Sequence, residues 1–297
     1  MPPRAVQDFR LYRALRRAIV FLIVVAVACA CRRAPLAPTA TPSPTAPAAA
    51  TPLAPAPTPT TTSAAPDSRR EVIIVHTNDE HGALLPKVEK DFLLGGAANS
   101  DAAWLRQGYD PRASGGNVLL VSGGDNWTGP AISTWFRGES AVEVMNAMGY
   151  RASTIGNHEF DFGQPVLRAR MAQAAFPYLA ANLYRESTRE PVDWVKPYIV
   201  LETNGVRIGI IGLALQDTPQ LTAAKSLEGL TFGAYEPALR RWVPVMRQEG
   251  AQIIVVQAHI CPDALMTLAT QVRDLGITLF HGGHCHRSAT VQVGNVF

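Results

Sequence analysis

Cysteine is scarce in this sequence. Its four residues, at positions 29, 31, 261 and 285, are too few for a disulfide-built scaffold, and their spacing matches no zinc ribbon. Charge is sparse as well, at 17% of 297 residues against 47% apolar residues. That balance argues against wholesale disorder and against a multi-span membrane protein. The formal charge of +3 suggests a basic protein, but the excess is local. Residues 1–70 hold nine Arg against Asp8 and Asp67, which leaves 18 basic and 22 acidic side chains in 71–297. A nucleic-acid partner therefore has no electrostatic support. No internal repeat is evident.

The N-terminus reads as an export leader over residues 1–31. Arg4, Arg10, Arg13, Arg16 and Arg17 precede a twelve-residue apolar run from Ala18 to Cys29. A basic segment before an apolar stretch of that length is the pattern of a secretory signal, and the stretch is short for a spanning helix. A small residue before Cys at its end resembles the lipobox of bacterial lipoproteins. Cys29, after Ala26-Val27-Ala28, is the better candidate for lipidation and Cys31 the second; an ordinary secretory leader or an uncleaved signal-anchor is the alternative. Residues 32–70 form a linker. Within it, 34–66 contain no charge and ten of the 23 prolines, a composition that cannot bury a core. Fully extended, it would reach on the order of 100 Å at about 3.1 Å per residue.

From Glu71 onward the texture changes. Strand-like runs fall at 72–76, 118–122, 152–155, 178–182, 197–202, 206–213, 252–258 and 277–281. Helix-like segments fall at 97–107, 139–148, 165–175, 235–249 and 262–274. Short apolar runs separated by amphipathic helices predict an α/β layered domain over 71–297.

Polar clusters recur where the apolar runs end: Thr77-Asn78-Asp79-Glu80-His81-Gly82, Gly123-Gly124-Asp125-Asn126, Gly156-Asn157-His158-Glu159-Phe160-Asp161, His259, and Gly282-Gly283-His284-Cys285-His286. In layered α/β sheets the carboxyl ends of strands share one edge, where ligands bind. Five loops would thus bring together Asp79, His81, Asp125, Asn157, His259, His284 and His286. Two carboxylates, four imidazoles and an amide oxygen exceed what one transition metal needs and suit two ions sharing a carboxylate. Mixed nitrogen and oxygen donors without thiolate favour zinc, manganese or iron. Two such ions can hold a bridging hydroxide and neutralise a phosphoryl group under attack. Each fragment alone has a plainer reading, Gly-Gly-Asp as a turn signal and His259 as a structural histidine, but all five occur in one order, each after a predicted strand.

These motifs resemble the calcineurin-like metallophosphoesterases, whose pattern is D-x-H, G-D, G-N-H-E, a later H, and G-H-x-H. More narrowly, His76–Gly82 and Gly156–Asp161 look like the 5′-nucleotidase branch, which also includes exported UDP-sugar hydrolases, cyclic-nucleotide phosphodiesterases and the thiosulfohydrolase SoxB. The resemblance covers 71–297. It implies a β-sandwich flanked by helices in four α/β/β/α layers, and an enzyme that hydrolyses phosphoesters of nucleotides or their derivatives through a metal-bridging hydroxide attacking in line. It further implies that Asp79, His81 and His286 bind one divalent transition metal and Asn157, His259 and His284 a second, with Asp125 bridging. His158 would give a hydrogen bond or proton to the transition-state or leaving oxygen, with Asp161 orienting its ring. Asn78 and Asn126 are read either as phosphate contacts or as loop caps, Glu159 as a loop support, and His76 and His281 as packing residues. Gly95-Gly96 echoes a backbone turn of the family. Cys261 and Cys285, beside His259 and His284, would be either a disulfide or free buried thiols.

In that branch a second, nucleotide-holding domain usually follows, whereas here eleven residues follow His286. The expectation is a catalytic domain with its C-terminal part cut short. The substrate expected is a small phosphoester, with no nucleic-acid partner and with membrane association only through the N-terminal anchor. The rival readings are a SoxB-like thiosulfohydrolase and a catalytically silent surface lipoprotein that binds metal or nucleotide.

Overall fold

The computed structural model describes residues 69–89 and 91–293. The expected leader, the lipidation candidates Cys29 and Cys31, and nearly all of the linker lie outside the described residues. In chain order, β1 (Ile73–Thr77) precedes a short hairpin, β2 (Lys87–Glu89) and β3 (Phe92–Leu94), helix α1 (Ala97–Arg106) and β4 (Val118–Ser122). Next come α2 (Ala131–Thr134), α3 (Glu139–Met148), β5 (Ala152–Thr154), α4 (Gln164–Gln173) and β6 (Tyr178–Leu179). The remainder is β7 (Leu183–Arg185), β8 (Tyr198–Thr203), β9 (Val206–Leu213), α5 (Thr218–Leu221), β10 (Leu230–Phe232), α6 (Tyr235–Gln248), β11 (Ile253–Ala258), α7 (Pro262–Gln271) and β12 (Leu279–His281). Among the described residues no helix is long and apolar enough to cross a membrane.

Two four-stranded sheets result. The first has the order β1-β4-β5-β6 with every pairing parallel. The second has the order β12-β11-β9-β8, parallel except for the β8–β9 pair. Strand periodicity then explains the layers, because alternate side chains leave opposite faces. Leu119 and Val121 of β4 meet Ile208 and Ile210 of β9 and Val255 of β11 in a core between the sheets. The intervening Leu120 joins Val142, Met145 and Leu167 from α3 and α4 on the outer face of the first sheet. Ile211, Leu213, Ile254 and Val256 face Leu239, Val243, Met246, Leu265 and Leu268 of α6 and α7 on the outer face of the second. Strands buried on both faces read as continuous apolar runs, and each such aliphatic side chain contributes about 1.5–3 kcal/mol on burial. The expected four-layer α/β/β/α arrangement is what the chain adopts.

The predicted strand over 178–182 is shorter than expected. After Leu179 the backbone leaves the first sheet: the Ala180 amide donates to Lys196 O at 3.0 Å and the Ala181 amide to Gly212 O at 2.7 Å. Gly212 is required at this crossing, since a Cβ there would meet the Leu179 side chain and carbonyl at 2.5 Å.

Candidate metal centre

Parallel strands send their carboxyl ends to one edge, and there the five polar loops meet. Asp79 and His81 follow β1, Asp125 follows β4, Asn157 and His158 follow β5, His259 follows β11, and His284 and His286 follow β12. Side-chain donor atoms gather into two triads, Asp79 with His81 and His286, and Asp125 with His259 and His284; Asp125 also lies within reach of His81 and His158. The triads adjoin: His259 Nε2 stands 2.9 Å from Asp125 Oδ2 and 3.9 Å from Asp79 Oδ1, and His286 Nε2 stands 3.6 Å from Asp79 Oδ1. Asp125, Asn157 and His259 are buried, while His286 is exposed at the rim.

The backbone is bent to achieve this. Asp79 (φ 54°), His81 (φ 46°), Asp125 (φ 55°), His284 (φ 72°) and His286 (φ 50°) all occupy the left-handed region. Short polar side chains tolerate it better than most, yet each such residue costs about 1 kcal/mol or more and persists only where its surroundings over-determine it. Close approach requires glycine at position 156, where a Cβ would fall on the Asp125 carboxylate.

Hydrogen bonding fixes which nitrogens carry lone pairs. His259 Nδ1 lies 2.9 Å from the Gly123 carbonyl oxygen and His81 Nδ1 lies 3.0 Å from that of Thr128. Carbonyls only accept, so both Nδ1 atoms donate, and in the neutral rings both Nε2 atoms present lone pairs. Those lone pairs face other lone pairs: His259 Nε2 faces two carboxylates, and His81 Nε2 lies 3.1 Å from His286 Nε2. Asn157 Oδ1 and His259 Nε2 are buried without a hydrogen-bond partner. A proton on His259 Nε2 is the alternative to a cation there: burial pushes the ring down, but in the protonated ring the hydrogen bond and charge of Asp125 outweigh it and raise its pKa to about 9. Converging, mutually repelling acceptors in a buried cleft are what divalent cations satisfy, so these residues fit such ions.

Glu159 holds the loops together. Wholly buried, it accepts from the backbone amides of Asp125 (2.9 Å), Asn126 (2.8 Å) and Gly156 (2.6 Å) and from the Asn126 side chain (3.1 Å). Burial and the nearby Asp125 charge raise its pKa to about 7. Asn126 also bonds Ser122 and Ser153, which makes it an internal brace, and Asn78 donates to Asp79. His158 Nδ1 lies 2.7 Å from Asp161 Oδ2, and its amide donates to Asp125 Oδ1 at 2.8 Å. The Asp161 hydrogen bond raises the His158 pKa above the ordinary imidazole value. The ring lies 4.9 Å from that of His81, at the mouth of the cluster. His76 and His281 stack at 4.3 Å, His76 bonding Gly282 O and His281 bonding Gln257. Of the alternatives for Cys261 and Cys285, the structure has the disulfide, with a Cα separation of 5.2 Å, tying the His259 loop to the His284–His286 loop. The orienting carbonyls of Gly123 and Thr128 carried no sequence signal, because any residue supplies one.

No protein-family model matches the chain. It is 34% identical over 195 residues to the protein UshA of Yersinia enterocolitica, covering 65% of this chain and 34% of that one. It is 30% identical over 221 residues to a 5′-nucleotidase of Diplobatis ommata, covering 72% and 37%. In structure it is similar to the calcineurin-like phosphoesterase YfkN of Bacillus subtilis, with TM-score 0.60, 27% identity and coverage of 73% and 72%. The chain belongs to the 5′-nucleotidase branch of the calcineurin-like metallophosphoesterases. This metallophosphoesterase chain spans about a third of the length of the curated relatives it matches. Its likeness to the Thermus thermophilus sulfate thiohydrolase SoxB, at TM-score 0.68 and 20% identity, is one of fold.

Proposed function

We propose that this chain is a two-metal hydrolase of phosphoester bonds in nucleotides or nucleotide derivatives. The observation that carries this reading is the pair of adjoining donor triads around Asp125, with His158 at their mouth. Asp79, His81 and His286 would hold one divalent cation, Asn157, His259 and His284 the other, and Asp125 would serve both. Zinc, manganese and iron suit this donor set. Bound cations would supply charge neutralisation at the phosphoryl oxygens and acidify the attacking water.

The protein's own groups do the rest. Glu159 fixes the Asp125 and Gly156 backbones, so the donor positions are set before substrate arrives. His158, its Nδ1 engaged by Asp161, keeps Nε2 free to donate to the leaving oxygen, and the Asp161 hydrogen bond favours the protonated ring. Relatives named 5′-nucleotidase support a nucleotide substrate. In the proposed organisation residues 71–297 are the catalytic domain, 32–70 a tether and 1–31 an export leader, with lipidation at Cys29 or Cys31. The basic segment and apolar run before Cys29 support that reading.

The test is a hydrolysis panel on metal-loaded protein, comparing AMP, UDP-glucose, 2′,3′-cyclic AMP and a chromogenic diester, with metal content measured on the same sample. Release of product from at least one nucleotide, dependent on about two ions per chain, is expected. A fully loaded protein inert on all of them, or one that cleaves only a thiosulfonate, would overturn the proposal.

A further inference from the structure

Asp161 has two surroundings. One carboxylate oxygen meets His158, and the residue also lines an open groove of about 1130 Å³ whose walls include Arg137, Arg168, Lys225 and Glu228. Cations outnumber carboxylates there, and one of the two carboxylates is already engaged. Arg168 lies over Trp194 at 4.8 Å. Among the described residues neither Arg137 nor Lys225 has an ion-pair partner. Grouped cations without counter-charge repel one another, and an anion between them relieves that cost.

Both walls are fastened to the loops of the metal centre. Arg137 sits in the left-handed region at φ 50°, followed by Gly138 at φ 79°. Their amides donate to Thr134 O at 3.1 Å and Ser133 O at 3.0 Å. A Cβ at Gly138 would strike the Trp127 ring, which is fully buried and two residues beyond Asp125. A strained, non-glycine conformation held by packing at the edge of a site positions a side chain for use. Opposite, Lys225 lies in a single 3-10 turn, Ala224–Leu227, whose Leu227 is anchored in the core. Just before it, the Thr222 hydroxyl donates to the Asn157 carbonyl at 3.3 Å. The groove is thus fixed relative to the His158–Asp161 pair.

From this placement we infer that the groove is a subsite for a second, non-scissile phosphate, with Arg137 and Lys225 as its specificity-determining residues. The inference rests on the phosphoester reading above. Arg137 supplies a planar fork matched to phosphate oxygens and Lys225 a mobile point charge. Diphosphate-linked nucleotides would span both places, one phosphate at the donor triads and the next in the groove, whereas a monophosphate leaves the groove unused.

The experiment compares UDP-glucose with UMP on the metal-loaded full chain, wild type against Arg137→Ala/Lys225→Ala. The ratio of kcat/KM for UDP-glucose to that for UMP is expected to fall by about tenfold or more, carried by KM. In parallel, inorganic pyrophosphate is titrated calorimetrically into the metal-stripped full chain. Wild type is expected to bind it, and the double variant at least about tenfold more weakly. An unchanged substrate ratio, or pyrophosphate binding that is absent or indifferent to both substitutions, overturns the subsite. If the loaded enzyme cleaves neither substrate, the hydrolase reading fails, and the pyrophosphate titration decides the groove by itself.

Discussion

His259 Nε2 and Asp125 Oδ2 stand 2.9 Å apart inside the protein, although the His259 proton is already committed to the Gly123 carbonyl. Two buried acceptors at that distance hold together only through a proton or a cation between them. Asp125→Ala removes the carboxylate proposed to serve both ions, so metal content should fall well below two ions per chain and hydrolysis should drop to background. Elemental analysis and turnover on one sample check this; wild-type hydrolysis by the variant would sink the two-metal reading.

His158→Ala separates chemistry from loading. Its ring meets Asp161 while its backbone amide, which the substitution keeps, bonds Asp125. Turnover should fall by about 10²–10⁴-fold with metal stoichiometry unchanged. Asp161→Asn, which keeps the shape but loses the charge that raises the His158 pKa, should fall by less. A His158 variant that loses its metals would show the side chain to be a ligand instead.

Glu159→Ala should be costly despite touching none of the candidate ligand side chains. It orphans the amides of Asp125, Asn126 and Gly156 in a fully buried place, each costing about 1–3 kcal/mol. The expected result is a lower urea midpoint together with weakened metal binding. Normal stability in this variant would mean that the loops hold their shape without the carboxylate.

The Cys261–Cys285 link closes a 24-residue separation, for which chain entropy gives about 3 kcal/mol of stabilisation. Cys261→Ser/Cys285→Ser should lower Tm and raise the metal dissociation constant, because the His259 and His284–His286 loops lose their tie. Equal metal affinity in the oxidised and substituted proteins would confine the bridge to stability.

Much of this architecture is legible in the residue pattern. VLLVS at 118–122 and VRIGIIGL at 206–213 announce themselves because a strand buried on both faces is apolar along most of its length, with polar residues only near an end, at Ser122 and Arg207. The β2–β3 hairpin does not, since Val88, Phe92 and Leu93 are exposed and apolar at once. Four-residue helices such as α2 and α5 span barely one turn, too little for a repeating pattern to show. The donor residues stood out as polar clusters ending apolar runs. Their left-handed backbones did not, because φ is imposed by packing distant in sequence, as at Asp125, which Glu159 and Gly156 hold. Arg137 and Lys225 are 88 residues apart in sequence, and only the packing of their turns brings them to one groove.

The origin of the donors has a consequence for assembly. Asp79, Asp125 and Asn157 hang from the first sheet, and His259, His284 and His286 from the second. Neither half of the sandwich would carry a complete set of the proposed ligands, so ion uptake during refolding would report the moment when the halves dock. The bound pair would then act as a latch across the seam, making pulling the layers apart and extracting the ions one and the same event.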